Sequence, residues 1–192
     1  MVVPTMSGDV AHFTGLAKQL ETQELDSPGG VATPQIYSQL LAIYLVQNDI
    51  SNAKLLWKRI PLSVKTSNPD LGQVWSVGQK MWSRDYSAVY EALQKDWPDY
   101  LKAVMAALLE STRQRAFTLV SQAYSSINAD DFSAFMGMPV AEAVTAATNR
   151  GWQADPQTRL ISPKKEEKPA AVAIPNDQQM ARFTDYVSFL EN

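Results

Sequence analysis

The sequence predicts a mainly α-helical protein: an array of helical hairpins, then a winged helix with a small β wing, then a C-terminal helix. Three observations carry this. Apolar residues recur at helical spacing almost without a break from Asp9 to about Ser126. Two segments within that region align with each other, Asp49 with Asp85, Ile50 with Tyr86 and Ser51 with Ser87, at an interval of 36 residues. Finally, the stretch "ADDFSAFMGMPVAEAVTAATNRGW", Ala129 to Trp152, joins two short amphipathic helices at Gly137-Met138-Pro139 and stops the second at Gly151.

Taken in order, Asp9 is the expected cap of a first helix that carries Val10, Phe13, Leu16, Ala17 and Leu20 on one face, and "DSPGG" at Asp26 to Gly30 ends it. Thr33-Pro34 starts a second helix. A cap residue followed by proline at the first helical position recurs at Asn68-Pro69. The run "IYSQLLAIYLV" is apolar on most sides, which predicts a buried helix. The aligned segments, "NDISNAKLLWKRIP" from Asn48 and "RDYSAVYEALQKDWP" from Arg84, each follow an apolar helix after a very short turn. This is the pattern of a helix-pair, TPR-like repeat whose units stack on one another. A long helix spans Pro98 to Ser125 and leads into the winged helix. After Trp152, "QADPQTRLIS" allows two short strands around Asp155-Pro156-Gln157, where a wing belongs. Ser162 to Asp177 holds three prolines and mixed charge without periodicity, and reads as a linker. In the last fifteen residues Met180, Phe183, Val187 and Leu190 fall at helical steps with Tyr186 and Phe189 beside them. The organisation expected is therefore a helical-repeat region at 1–126, a winged-helix subdomain at 127–161, a linker at 162–177 and a C-terminal helix at 178–192.

Composition narrows the chemistry. The 192 residues are 45% hydrophobic and 19% charged, with a formal net charge of −3 and no cysteine. That balance offers no bulk attraction to phosphate, and without thiols there are no disulfides, no thiolate nucleophile and no sulfur-ligated zinc. No basic segment followed by an apolar run opens the chain, and no stretch reaches the roughly 18 apolar residues of a membrane span, so cytoplasm or nucleus is the expected location. His12 is the single histidine, on an amphipathic surface helix and outside any H-E-x-x-H pattern, so neither a metal site nor a histidine-based triad is expected. The eight glycines form no phosphate-binding or dinucleotide loop. Asp130-Asp131 stand at a helix start, where carboxylates complement the helix dipole. Trp57, Trp75, Trp82 and Trp97 are expected in the core between packed helices, with Trp75 and Trp82 on one face. No catalytic residue, cofactor site or metal site is assigned.

A winged helix raises the question of nucleic acid. A DNA-reading second helix needs Arg, Lys, Asn or Gln toward the base edges and cations toward the phosphates. Residues 139–150, "PVAEAVTAATNR", offer Glu142, small apolar and hydroxyl side chains, and only Asn149 and one arginine at the very end. Val140, Ala143, Val144 and Ala147 make an apolar stripe, and nearby Arg159, Lys164 and Lys165 are offset by Glu166 and Glu167. Protein contact is the expected use, with DNA binding as the alternative.

A helical-repeat array feeding a small winged helix, a linker and a terminal helix resembles the PCI domain family, whose members are subunits of the proteasome lid, the initiation factor three complex and the COP-nine signalosome. The stretches "LLWKRIP", "WSVGQKMWSRDYSAVYEAL", "VSQAYSSINADDFSAF", "NRGWQAD" and "FTDYVSFLEN" place the resemblance, over essentially the whole chain, on the signalosome side of that family. The resemblance implies a complex that removes the ubiquitin-like modifier from cullins and so regulates cullin-RING ubiquitin ligases, with the isopeptidase chemistry in a different, zinc-binding subunit. For a chain like this one it implies a scaffold role: contacts with neighbouring PCI subunits through winged-helix sheet edges, and a C-terminal helix joining a shared helical bundle. The residues expected to meet partners are Leu160 and Ile161 on the wing, taken as an outer strand, and Met180, Phe183, Tyr186, Val187 and Leu190 on the last helix. No membrane, nucleic acid or small-molecule substrate is expected among the partners.

Overall fold

The computed structural model describes residues 6–164 and 176–191. Most of the linker expected at 162–177, namely 165–175, lies outside the described residues. Among the described residues seven α-helices make up the array: α1 (Met6–Leu25), α2 (Pro34–Val46), α3 (Ile50–Arg59), α4 (Leu62–Ser67), α5 (Pro69–Trp82), α6 (Tyr86–Leu93) and α7 (Asp99–Ala123). Strand β1 (Ile127–Asn128), α8 (Ala129–Met136), α9 (Val140–Asn149), β2 (Gln153–Asp155) and β3 (Leu160–Ser162) follow, and then α10 (Asn176–Glu191). The mainly helical class, the small sheet and the terminal helix are those the sequence predicts.

The first core forms around α2. From Tyr37 to Val46 every residue except Gln39 is buried, because α1, α3, α5 and α7 all pack against this one helix. Its start is the expected one: Thr33 Oγ1 accepts a hydrogen bond from the Ile36 amide at 3.4 Å, with Pro34 at the first helical position. Asn68 caps α5 in the same way, its Oδ1 accepting from the amides of Asp70 (2.9 Å) and Leu71 (3.4 Å). Glu24 of α1 is buried but paired. Its carboxylate accepts from Arg59 Nε at 2.8 Å and Nη2 at 2.6 Å, a bidentate bond that ties α1 to α3.

The repeat is visible in the backbone itself. At both hairpin turns the helix ends in a right-handed residue, Gln47 (φ −70, ψ −7) or Ser83 (φ −75, ψ −6). A left-handed residue follows, Asn48 (φ 62) or Arg84 (φ 59), and then the cap of the next helix. The cap amide reaches back five residues in each case, Asp49 N to Tyr44 O at 2.9 Å and Asp85 N to Lys80 O at 3.1 Å. Each aspartate then accepts from the amide three residues on, Asn52 at 3.0 Å and Ala88 at 3.1 Å. Replacing Asp85 with Ala removes one such bond and is expected to cost about 1 kcal/mol in a urea titration. An unchanged midpoint would mean that packing alone holds the start of α6.

Two expectations need correction, and one helix is additional. The first helix begins at Met6, so Asp9 is its fourth residue and not its cap. The helix α4 was not foreseen, since six residues are too few for a periodic signal; Val64 packs it onto the first core. Among the tryptophans, Trp97 is buried and Trp57 and Trp75 stack at 5.3 Å, half-buried against the core, but Trp82 is 58% exposed. Trp82 is the last residue of α5, and there the Lys54 ammonium stands over its ring at 4.4 Å in place of a packing helix.

Candidate functional site

The winged helix is built on the end of the array. Phe117 of α7, Phe132 of α8 and Trp152 after α9 meet in a triangle with ring centroids 5.4 to 5.5 Å apart. Ala116, Val120, Met136, Ala143, Ala147 and Ile161 close this second core around them. Because α7 contributes to both cores, the winged helix sits on the array through a shared helix.

The turn between α8 and α9 is tied to the array at several points. Gly137 is left-handed (φ 59) and ends α8. Arg113 of α7 donates to the carbonyls of Met136 and Gly137, at 3.3 and 3.4 Å, which supplies partners to carbonyls at the C-terminal end of α8. From α6, the Tyr90 hydroxyl donates to Phe135 O at 3.0 Å. Burial pushes the Tyr90 hydroxyl up to about 12, because the phenolate would lose its water. The neutral phenol is favoured in the folded chain, so this contribution is complete below about pH 10, the unfolded value, and is lost as pH rises through about 12. Tyr44, raised by burial and by donating to Glu21 at 2.7 Å, acts in the same sense. Urea midpoints should therefore fall between pH 10 and 12, and Tyr90→Phe should fall less steeply over that range than the parent. Equal slopes would remove Tyr90 as a cause.

The apolar stripe of α9 divides in two. Ala143 and Ala147 are fully buried in the second core, while Val140 and Val144 are only half-buried. Those two valines instead line a groove of about 460 Å³ between α9 and the wing, together with Ala129, Ala154, Leu160 and Ile161. In the wing, β2 and β3 pair antiparallel with Gln153 opposite Ser162 and Asp155 opposite Leu160, and β1 pairs with the other side of β3 at Ile127–Ile161. The turn is closed by Asp155, which accepts from Gln157 N at 2.9 Å and Thr158 Oγ1 at 2.8 Å; the bond from Gln157 above all holds its carboxyl below the usual range. The strand order is β1-β3-β2, so β3 is central. This corrects the placement of Leu160 and Ile161 on an outer strand. Both backbones are already paired within the sheet, and Ile161, 1% exposed, belongs to the core; Leu160 alone, at 41%, reaches the surface. The outer strands are β1 and β2. The reason lies in β1, whose two residues arrive from the far end of α7 and carry no alternation that a sequence could show.

The outward face of α9 carries Ala141, Glu142, Thr145, Thr148 and Asn149, with Arg150 after its end. Arg150 lies over the Phe117 ring at 3.8 Å. Among the described residues no three His, Cys, Asp or Glu side chains stand together as a metal site. No described helix is long and apolar enough to cross a membrane.

The terminal helix α10 presents the second surface. It begins at Asn176, two residues before the expected start, and every side chain from Gln179 to Glu191 is exposed. Met180, Phe183, Tyr186 and Leu190 are 65% or more exposed, and Val187 is 52% exposed. The apolar stripe of α10 is therefore solvated along its length.

Helical hairpins that share a helix with a winged-helix unit carrying a small three-stranded sheet, followed by a terminal helix, define a PCI-like fold. Comparison with known sequences makes this specific. The CSN8/PSMD8/EIF3K family matches residues 31–172, and the chain belongs to that family. It is similar to proteins named COP9 signalosome complex subunit 8. The one from Danio rerio is 55% identical over 178 residues, which cover 92% of this chain and 93% of the relative. The one from Xenopus tropicalis is 51% identical over the whole of both chains, and that from Arabidopsis thaliana is 34% identical over 81% of this chain and 79% of the relative.

Proposed function

We propose that this protein is a non-catalytic scaffold subunit of the COP9 signalosome, the complex that removes the ubiquitin-like modifier from cullins, and that it works in cytoplasm and nucleus. The observation that carries the reading is the full-length similarity to subunit 8 proteins, joined to a fold whose open surfaces are apolar and unpaired. Two contacts follow. The β2 edge extends the sheet of a neighbouring PCI subunit, and α10 enters a helical bundle built with other subunits. The face of α9 favours protein over nucleic acid, since it bears one acid and no base before Arg150. Purification of the complex through a tag on this chain tests the assignment: the remaining signalosome subunits should come with it in equal amounts, and their absence would overturn it.

The sheet-edge contact has its own test. Successive N–H groups of a strand point to opposite sides, so of Gln153 and Ala154 one faces β3 and the other faces out. Proline at the outward position leaves the internal ladder whole and is expected to weaken association with a PCI neighbour at least tenfold, while the inward variant loosens the wing itself. If the well-folded variant of the pair assembles like the parent, β2 is not the contact edge.

A further inference from the structure

A third surface lies on the helical array. The two equivalent hairpin turns and one face of α7 enclose a cleft of about 480 Å³. Asn48 and Ile50 line it from the first turn, Arg84 and Tyr86 from the second, and Arg115 and Leu119 from α7. Its charge is one-sided. No carboxylate lines it, because Asp49 and Asp85, the nearest acids in sequence, are spent as helix caps. Among the described residues neither Arg84 nor Arg115 forms an ion pair.

Arg115 is held in place without being neutralised. Its Nη1 donates to Val46 O at 3.1 Å and its Nη2 to Thr112 Oγ1 at 3.3 Å, two neutral acceptors for a guanidinium with five N–H groups. Burial lowers its pKa from the usual arginine value, so the charged form is short of water and of a counter-charge. Arg84 supplies an independent sign. It occupies the left-handed position (φ 59) that the equivalent turn fills with Asn48, a residue suited to it. An arginine there costs conformational energy that asparagine or glycine would avoid, and such a residue persists where its side chain has a use. Beside the two cations the walls are apolar: Ile50, Met81, Val89 and Leu119, the last 51% exposed at the rim.

We infer that this cleft docks an acidic, apolar segment of a partner protein, with Arg115 and Arg84 receiving a carboxylate and Leu119 and Ile50 an adjacent aliphatic side chain. A planar carboxylate can accept two N–H bonds from a guanidinium fork, and the half-buried setting of Arg115 strengthens them. Net charge does not direct this, because the chain as a whole is acidic. The local field does.

The test uses the full chain, labelled with nitrogen-15, and three probes: the peptide acetyl-Leu-Asp-Glu-Leu-amide, its Asn-Gln counterpart, and inorganic phosphate. The acidic peptide should shift the Arg115 Nε–H signal and the Thr118 and Leu119 amides saturably, and raising the salt should weaken it severalfold. Two variants check the cations. Arg84→Asn keeps the left-handed turn, as Asn48 does in its twin, so the fold is preserved while affinity should drop at least fivefold. Arg115→Gln should abolish binding. Equal binding of the neutral peptide, or an unchanged affinity in Arg84→Asn, overturns the inference. Stronger binding of phosphate than of peptide overturns it too and assigns the cleft to phosphate.

Discussion

Removal of residues 176–192 is expected to leave the thermal midpoint of the remaining chain unchanged within about 1 °C while cutting incorporation into the complex at least a hundredfold. The asymmetry follows from exposure. Among the described side chains, Gln179 to Glu191, none is buried on the chain's own body, so deletion removes none of the described packing of either core. Sixteen residues of isolated helix are marginal in water, and the order of α10 must come from what it packs against. Met180, Phe183, Val187 and Leu190 each gain roughly 1.5 to 3 kcal/mol on full burial, and two of them already account for a hundredfold. Phe183→Asp, which keeps the helix length, should reproduce most of the loss in reconstitution with partner subunits. Strong hydrogen-exchange protection of α10 amides in the dilute monomer would show that the helix packs on its own chain, and the bundle idea would fail.

Gly137→Ala is expected to destabilise the folded chain by about 2 to 4 kcal/mol, read from urea denaturation. Two costs add. An L side chain at φ 59 is strained, and a Cβ built there overlaps the Tyr90 ring, standing 2.8 Å from Tyr90 Cβ. The ring cannot retreat cheaply, because Tyr90 is buried and its hydroxyl holds Phe135 O. Gly137→Asn separates the causes, since asparagine tolerates the left-handed region but still brings a Cβ. If conformation dominated, Asn would approach the parent; with the clash dominant it should be at least as damaging as Ala. A loss below about 1 kcal/mol for Ala would mean that Tyr90 moves aside freely.

Much of the architecture was legible because it is written in local rules. The caps at Thr33 and Asn68 read directly, and so did the paired turns at Asn48 and Arg84, because a cap or turn depends on two or three neighbouring residues. The α10 stripe was legible for the same reason: it concerns one helix and no second element. Trp82 was misplaced because periodicity tells which face a residue shares, and not how far along that face the neighbouring helix extends.

By itself, the sequence determined the helical class, the repeat, the winged helix and a terminal helix with an apolar stripe, together with the family resemblance. Only the tertiary structure decided which surfaces are free. The central place of β3 depends on a two-residue strand brought in from the end of α7, and that pairing took Ile161 out of reach and left β2 as an open edge. The division of the α9 stripe into buried alanines and half-exposed valines depends on where the wing lies across the helix. The cleft holding Arg84 and Arg115 joins residues from three elements whose approach no local pattern encodes. Exposure is a property of what lies opposite a residue, and packing between elements distant in the chain sets it.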